Sequence, residues 1–158
     1  MSSLPSSTKA RADDSLPDDP QALAELTAQT MYANDPASQA LGAHIVSVAP
    51  GQASMSMSVR ADMLNGHKTC HGGFIFALAD STFAFACNSR NAVTVAAGCS
   101  IDYLAPAFEG DLLTAHAAEY SLSGRTGVYD VDVTNQDGKR IAVFRGRSYR
   151  IKGQVVGD

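Results

Sequence analysis

An aspartate, Asp80, stands in the middle of the run FIFALADSTFAFAC (residues 74–87), with Leu78, Ala79, Phe83 and Ala84 as its neighbours. An ionised carboxylate in such company is costly unless paired, and burial raises its pKa. That fits it to work as a general base or a nucleophile. Just upstream lies His71-Gly72-Gly73. Glycines let a ligand approach the backbone, and the first N–H groups of a helix lack intrahelical acceptors. Such a corner can receive negative charge developing on a carbonyl oxygen. The same glycines also suit a plain tight turn before a helix. Asn65 and His71 carry a similar ambiguity: they can orient substrate or water, or simply form the Asn65-Gly66 turn and cap the helix.

Helix geometry separates these groups. Gly73 and Asp80 are seven positions apart, almost two turns, so they share a face but stand about 10 Å apart along the axis. One carbonyl cannot touch both in a single chain. Two such helices packed antiparallel about a two-fold would set Asp80 of one copy beside Gly73 of the other. The spacing therefore predicts composite sites at a dimer interface, two per dimer.

The elements that must hold these residues are legible as patterns. Residues 1–19 are rich in Ser, Pro and Asp, a composition that predicts a disordered tail. Asp19-Pro20 is a helix-start signal, and a short helix should run to about Tyr32 with Leu23, Leu26 and Met31 on its buried side. From His44 onward the pattern has period two: Ala53, Met55, Met57 and Val59 alternate with Ser54, Ser56 and Ser58. The run at 74–87 is apolar nearly all round, which predicts a helix buried on most sides. Four strand-like segments follow, at about 93–104, 112–122, 128–135 and 141–151, punctuated at Pro106, Glu109-Gly110, Ser123-Gly124 and Asp137-Gly138. The expected architecture is α+β, a strand hairpin and a run of consecutive antiparallel strands wrapped around one helix, with an exposed edge that favours self-association.

Whole-chain properties narrow the function. A length of 158 residues suits a single domain, here 20–158. The net charge of −4 argues against nucleic acid as a partner. Between Asp137 and Lys152, however, six basic residues face one acid, a stripe that suits a small polyanion. On a strand Arg145 and Arg147 share a side and can meet phosphate oxygens, or they are solvated charges that guard an edge. Three cysteines, no apolar leader and no membrane-length apolar run predict a cytoplasmic protein. A metal site at His67, Cys70 and His71 lacks a further pair of ligands to complete it. A Cys70 nucleophile lacks a histidine–acid partner placed for it by the sequence.

Several strings carry a resemblance. Met63-Leu64-Asn65-Gly66-His67, Cys70-His71-Gly72-Gly73, Phe76, Leu78-Ala79-Asp80 and Ala86-Cys87-Asn88-Ser89 resemble the phenylacetate-degradation thioesterases of the hotdog superfamily. Ile101-Asp102-Tyr103-Leu104, Gly124-Arg125-Thr126-Gly127-Val128-Tyr129-Asp130 and Phe144-Arg145-Gly146-Arg147-Ser148 match later segments of that family. The resemblance covers roughly residues 25–155 and leaves out the N-terminal tail. It implies a hotdog fold, one long central helix wrapped by a curved antiparallel sheet of five to six strands. It also implies homodimers paired into a homotetramer that hydrolyse (hydroxy)phenylacetyl-CoA, or related aryl or medium-chain acyl-CoA, without metal or cofactor. By the same resemblance Asp80 is the catalytic carboxylate, Gly72 with His71 polarises the thioester carbonyl, and Asn65 assists. Gly73, Thr126, Gly127 and Val128, with Arg145 and Arg147, then belong to the coenzyme A contact. Two other activities stay in view. The pair Asp62 and His67 suggests a hotdog hydratase, and a non-catalytic acyl-CoA-binding module would keep the fold but not the carboxylate.

Overall fold

The computed structural model describes residues 15–157, so most of the tail expected to be disordered lies outside the described residues. Helix α1 spans Pro20–Ala33 and starts as expected, with the Asp19 side chain accepting the Ala22 N–H at 2.9 Å. Its most buried positions are Ala24, Thr27 and Ala28 rather than Leu23, Leu26 and Met31, which are only partly covered. Small residues face inward because α1 lies close against the first strand. A further helix, α2 (Pro36–Leu41), was not anticipated, although Asp35-Pro36 starts it and Gly42, in the left-handed region at φ 72°, ends it.

Strands β1 (His44–Ala49) and β2 (Gln52–Ser58) form the expected hairpin. Helix α3 then runs over Gly72–Cys87. It is followed by β3 (Ala92–Tyr103), β4 (Leu112–Ser123), β5 (Thr126–Thr134) and β6 (Arg140–Gln154). All six strands join one antiparallel sheet in the order β1-β2-β4-β5-β6-β3. The order corrects the expectation of a simple consecutive run: β3 pairs with β6, not β4, and so becomes a free edge.

The core sits between α3 and the inner face of the sheet. Ile75, Leu78, Phe83 and Phe85 are buried there against Met55, Met57, Leu113, Val131, Val133 and Phe144. Phe83 lies flat on β6. A Cβ at Gly146 would stand 2.8 Å from its ring, so only glycine admits this approach. At its far end α3 is fastened by Asn88, whose amide donates to the Ala84 and Thr94 carbonyls, each at 2.9 Å, and whose oxygen accepts the Thr94 N–H.

The helix is covered on most of its sides, as expected, and one stripe is covered less. Ala77, Asp80 and Ala84 are only half-buried, and Gly73 is exposed. A largely apolar stripe that its own sheet covers only in part is a surface for another element to complete.

Candidate active site

His71 caps α3. Its Nδ1 accepts the Gly73 N–H at 2.9 Å, and its carbonyl accepts the Phe74 N–H at 3.0 Å. The Gly73 amide is therefore committed. Gly72, at the first helical position, has no acceptor for its N–H among the described residues. Of the Gly72 and Gly73 amides, only that of Gly72 has an uncommitted hydrogen among the described residues. The ring of Tyr103, from β3, covers this corner, and its hydroxyl donates to the Gly72 carbonyl at 2.8 Å. A Cβ at Gly72 would lie 2.9 Å from that ring. Beside it opens a cleft of about 500 Å³ lined by Thr69, Cys70, Ile75, Tyr103, Leu104 and Ala107, among others.

Asp80 is eight residues further on, about 12 Å along the axis. Burial pushes its carboxyl above the usual range, opposed by a hydrogen bond from Cys99 on β3, Sγ to Oδ1 3.7 Å. Cys99, itself exposed on the edge strand, is pushed up to about 11 by partial desolvation and by the neighbouring Asp80 carboxylate, which keeps the thiol protonated as a donor. Arg147 is near enough to Cys99 to oppose that shift.

Asn65 does not join these groups. Its side-chain oxygen accepts the N–H groups of His67 and Thr69 at 2.9 and 3.2 Å and closes the loop before α3. Its amide donates to Thr69 Oγ1. Arg145 and Arg147 do share the outer side of β6, but their surroundings differ. Arg145 is held by Asp130 through two hydrogen bonds of 2.6 and 2.8 Å and lies over the Tyr120 ring. Arg147 rests on Gly98. Thr126, Gly127 and Val128 open β5 beside the C-terminal end of α3, where Arg90, Arg125, Thr94, Ser148 and Arg150 border a small cavity of about 70 Å³. That hairpin is thus at the opposite end of the helix from Gly72 of the same chain.

Cys99 escaped the sequence reading, and so did the contact of Tyr103 with Gly72. Nothing in the local pattern pairs them with Asp80 and Gly72, because that pairing depends on β3 crossing over to the far edge. The rival readings lose ground here. Burial raises the Cys70 thiol's pKa, the reverse of what a nucleophile needs. Asp62 is exposed and paired with Arg60 at 2.9 Å. No group of three or more His, Cys, Asp or Glu that could hold a metal occurs among the described residues.

Comparisons with known proteins bear on this arrangement. The family model described as Thioesterase superfamily matches residues 67–142, a stretch that contains Gly72, Asp80, Cys99 and Tyr103. Acyl-coenzyme A thioesterase PaaI of Escherichia coli is 50% identical over 131 residues, 83% of this chain and 94% of the relative. The chain belongs to this thioesterase family. The solved structure of the E. coli PaaI protein superposes with a TM-score of 0.85 at 48% identity, covering 86% of this chain and 99% of that one. A Streptococcus mutans protein solved bound to acetyl CoA matches at TM-score 0.68 and 28% identity, over 71% of this chain and 90% of that one. The fold is accordingly the hotdog, and the protein is a thioester hydrolase that acts on acyl-CoA. No described helix is long and apolar enough to cross a membrane.

Proposed function

We propose that the protein hydrolyses phenylacetyl-CoA or hydroxyphenylacetyl-CoA to the free acid and coenzyme A, in a cytoplasmic homodimer whose units pair as a tetramer. The supporting observation is the separation within one chain of an uncommitted Gly72 N–H from a half-buried Asp80 of raised pKa. The two groups complement each other only if a second α3 lies antiparallel on the open face, bringing Asp80 to Gly72 of the partner subunit. Gly73, Ala77 and Ala84 offer that helix a surface without bulky side chains. The open edge of β3, with Val95 and Tyr103 exposed, suits pairing to its own copy.

In this reading the thioester oxygen takes the Gly72 N–H, and Asp80 from the other subunit removes a proton from water as it attacks the carbonyl carbon. The C–S bond then breaks, and the coenzyme thiolate takes up a proton. Alternatively the carboxylate attacks first and water cleaves the resulting anhydride; both routes give acid plus thiol. His71, its Nδ1 committed to Gly73, is left with Nε2 as the ring nitrogen that can donate, while Asn65 acts by shaping the loop. The coenzyme's phosphates meet basic residues near the Thr126–Val128 hairpin, and Arg147 is a better candidate than Arg145, whose charge Asp130 already holds. An aryl acyl group fits the cleft beside Tyr103, Leu104 and Ile75. The E. coli relative's description as a protein of a phenylacetic acid degradation operon favours the same substrate.

Free-thiol release across a panel of acyl-CoAs, with sedimentation to give the oligomeric state, tests this. The expected result is highest kcat/KM for the arylacetyl esters and a dimer or tetramer. Equal rates for straight-chain esters would overturn the substrate, and full activity in a monomer would overturn the composite site.

A further inference from the structure

The Gly72 carbonyl and the Gly73 N–H belong to one planar peptide unit. Two side chains grip that unit from opposite ends: Tyr103 donates its hydroxyl to the carbonyl at 2.8 Å, and His71 Nδ1 accepts the N–H at 2.9 Å. We propose that Tyr103 is a positioning residue for thioester hydrolysis, fixing the Gly72–Gly73 peptide so that the neighbouring Gly72 N–H and the His71 ring stay aimed at the reacting carbonyl. The inference rests on the reading above, in which that carbonyl meets Gly72.

The physical argument has three steps. A helix's first turn is its least restrained part, since its N–H groups have no intrahelical acceptors, and here it begins with two glycines. A donor that stabilises an oxyanion contributes only if it is already aimed when charge develops. Tyr103 supplies the restraint that the glycines lack, because it sits on β3, a strand tied by a long register to β6. Its ring also stands against the Gly72 Cα, and its hydroxyl polarises the peptide so that Gly73 becomes a better donor to His71. A nitrogen that accepts carries no proton, so the clamp leaves the imidazole hydrogen on Nε2, the atom free to donate.

Tyr103→Phe keeps the ring and removes the donor. The expected result is a fall of about tenfold in kcat with KM within about twofold, the signature of an interaction used in the transition state rather than in binding. In the substrate-free enzyme the Gly73 amide should show faster hydrogen exchange and an upfield proton shift, since its partner is less well held. An unchanged Gly73 amide overturns the clamp. A changed amide with wild-type kcat overturns its service to catalysis, and a rise in KM alone would make the Tyr103 hydroxyl a binding group for substrate instead of a clamp on the peptide. Asp80→Asn measured alongside separates this from the underlying reading. Wild-type turnover in that variant removes the site itself, whereas loss there with no effect of Tyr103→Phe removes only the positioning role.

Discussion

Ile75, Leu78, Ala79, Phe83 and Ala86 line the side of α3 that rests on the sheet, whereas Gly73, Ala77, Asp80 and Ala84 lie on the side that stays open. Composition barely distinguishes the two, since the helix is apolar nearly all round. What differs is how each is covered. The first face is closed by this chain's own strands and fixes the fold; the second carries the one carboxylate and is completed, in our proposal, by another copy. An apolar helix therefore reports that it will be buried, not by whom.

Substitutions that damage one face should leave the other's property intact. The largest effect is expected from Asp80→Asn, which should lower thiol release by about 100-fold or more, as for loss of a general base, with the cooperative unfolding transition preserved. Phe83→Ala should do the reverse and remove about 3–5 kcal/mol of unfolding free energy in urea titration, since the ring is 1% exposed and packs on Gly146 and Phe144. Activity in the Asp80→Asn variant equal to wild type would erase the distinction between the faces.

Ala84→Glu should sharpen the comparison. On a face that solvent covers, it costs a few tenths of a kcal/mol at most. On a face that a second helix covers, it buries an unpaired charge and weakens self-association by about 100-fold or more. Sedimentation velocity with parallel thiol-release assays reads this directly. Dimers and turnover that survive the substitution would mean that the open face is not the interface.

A smaller effect concerns pH. Burial raises the folded-state pKa of Asp80 above its unfolded value, so between the two the folded protein binds the proton more readily. Wild-type stability must fall as pH rises through that window and stay lowered above it. Asp80→Asn cannot titrate, so it should be more stable than wild type at neutral pH, with the gain disappearing below the unfolded value near 3.8. Denaturant midpoints at neutral and acid pH check the sign, and an equal offset at both would assign the gain to packing instead.

Much of this molecule was legible beforehand because its signals are local. Asp19-Pro20, His71-Gly72-Gly73 and the period-two segments mark where helices and strands begin. Asp80 stood out because its neighbours are apolar. Less was legible where distant segments decide. The crossing of β3 to the β6 edge leaves no trace in its own residues, and with it went the Cys99–Asp80 and Tyr103–Gly72 contacts. Strand period puts Arg145 and Arg147 on one side, but it cannot foresee that β5 sets Asp130 opposite Arg145 and leaves Val128 opposite Arg147.

Cys99 gives the smallest and most specific test of the open face. Among the described residues, the groups that act on the Asp80 carboxylate are the Cys99 thiol of β3, with Arg147 of β6 behind it, and the Cys87 thiol further along α3. Neither thiol is ionised at neutral pH: burial holds Cys87 at about 12, and partial desolvation with the Asp80 carboxylate holds the exposed Cys99 at about 11. Cys99 therefore acts on Asp80 as a neutral donor that favours the carboxylate, against the burial that disfavours it. Cys99→Ala removes the donor and keeps the burial, so the Asp80 pKa must rise further and the acid limb of the kcat/KM profile must move to higher pH. Cys99→Ser restores a hydroxyl donor and should move the limb back. If the Ala and Ser variants share the wild-type limb, the titration that governs turnover does not belong to Asp80 as this strand presents it. The carboxylate's protonation would then be set from across the subunit contact.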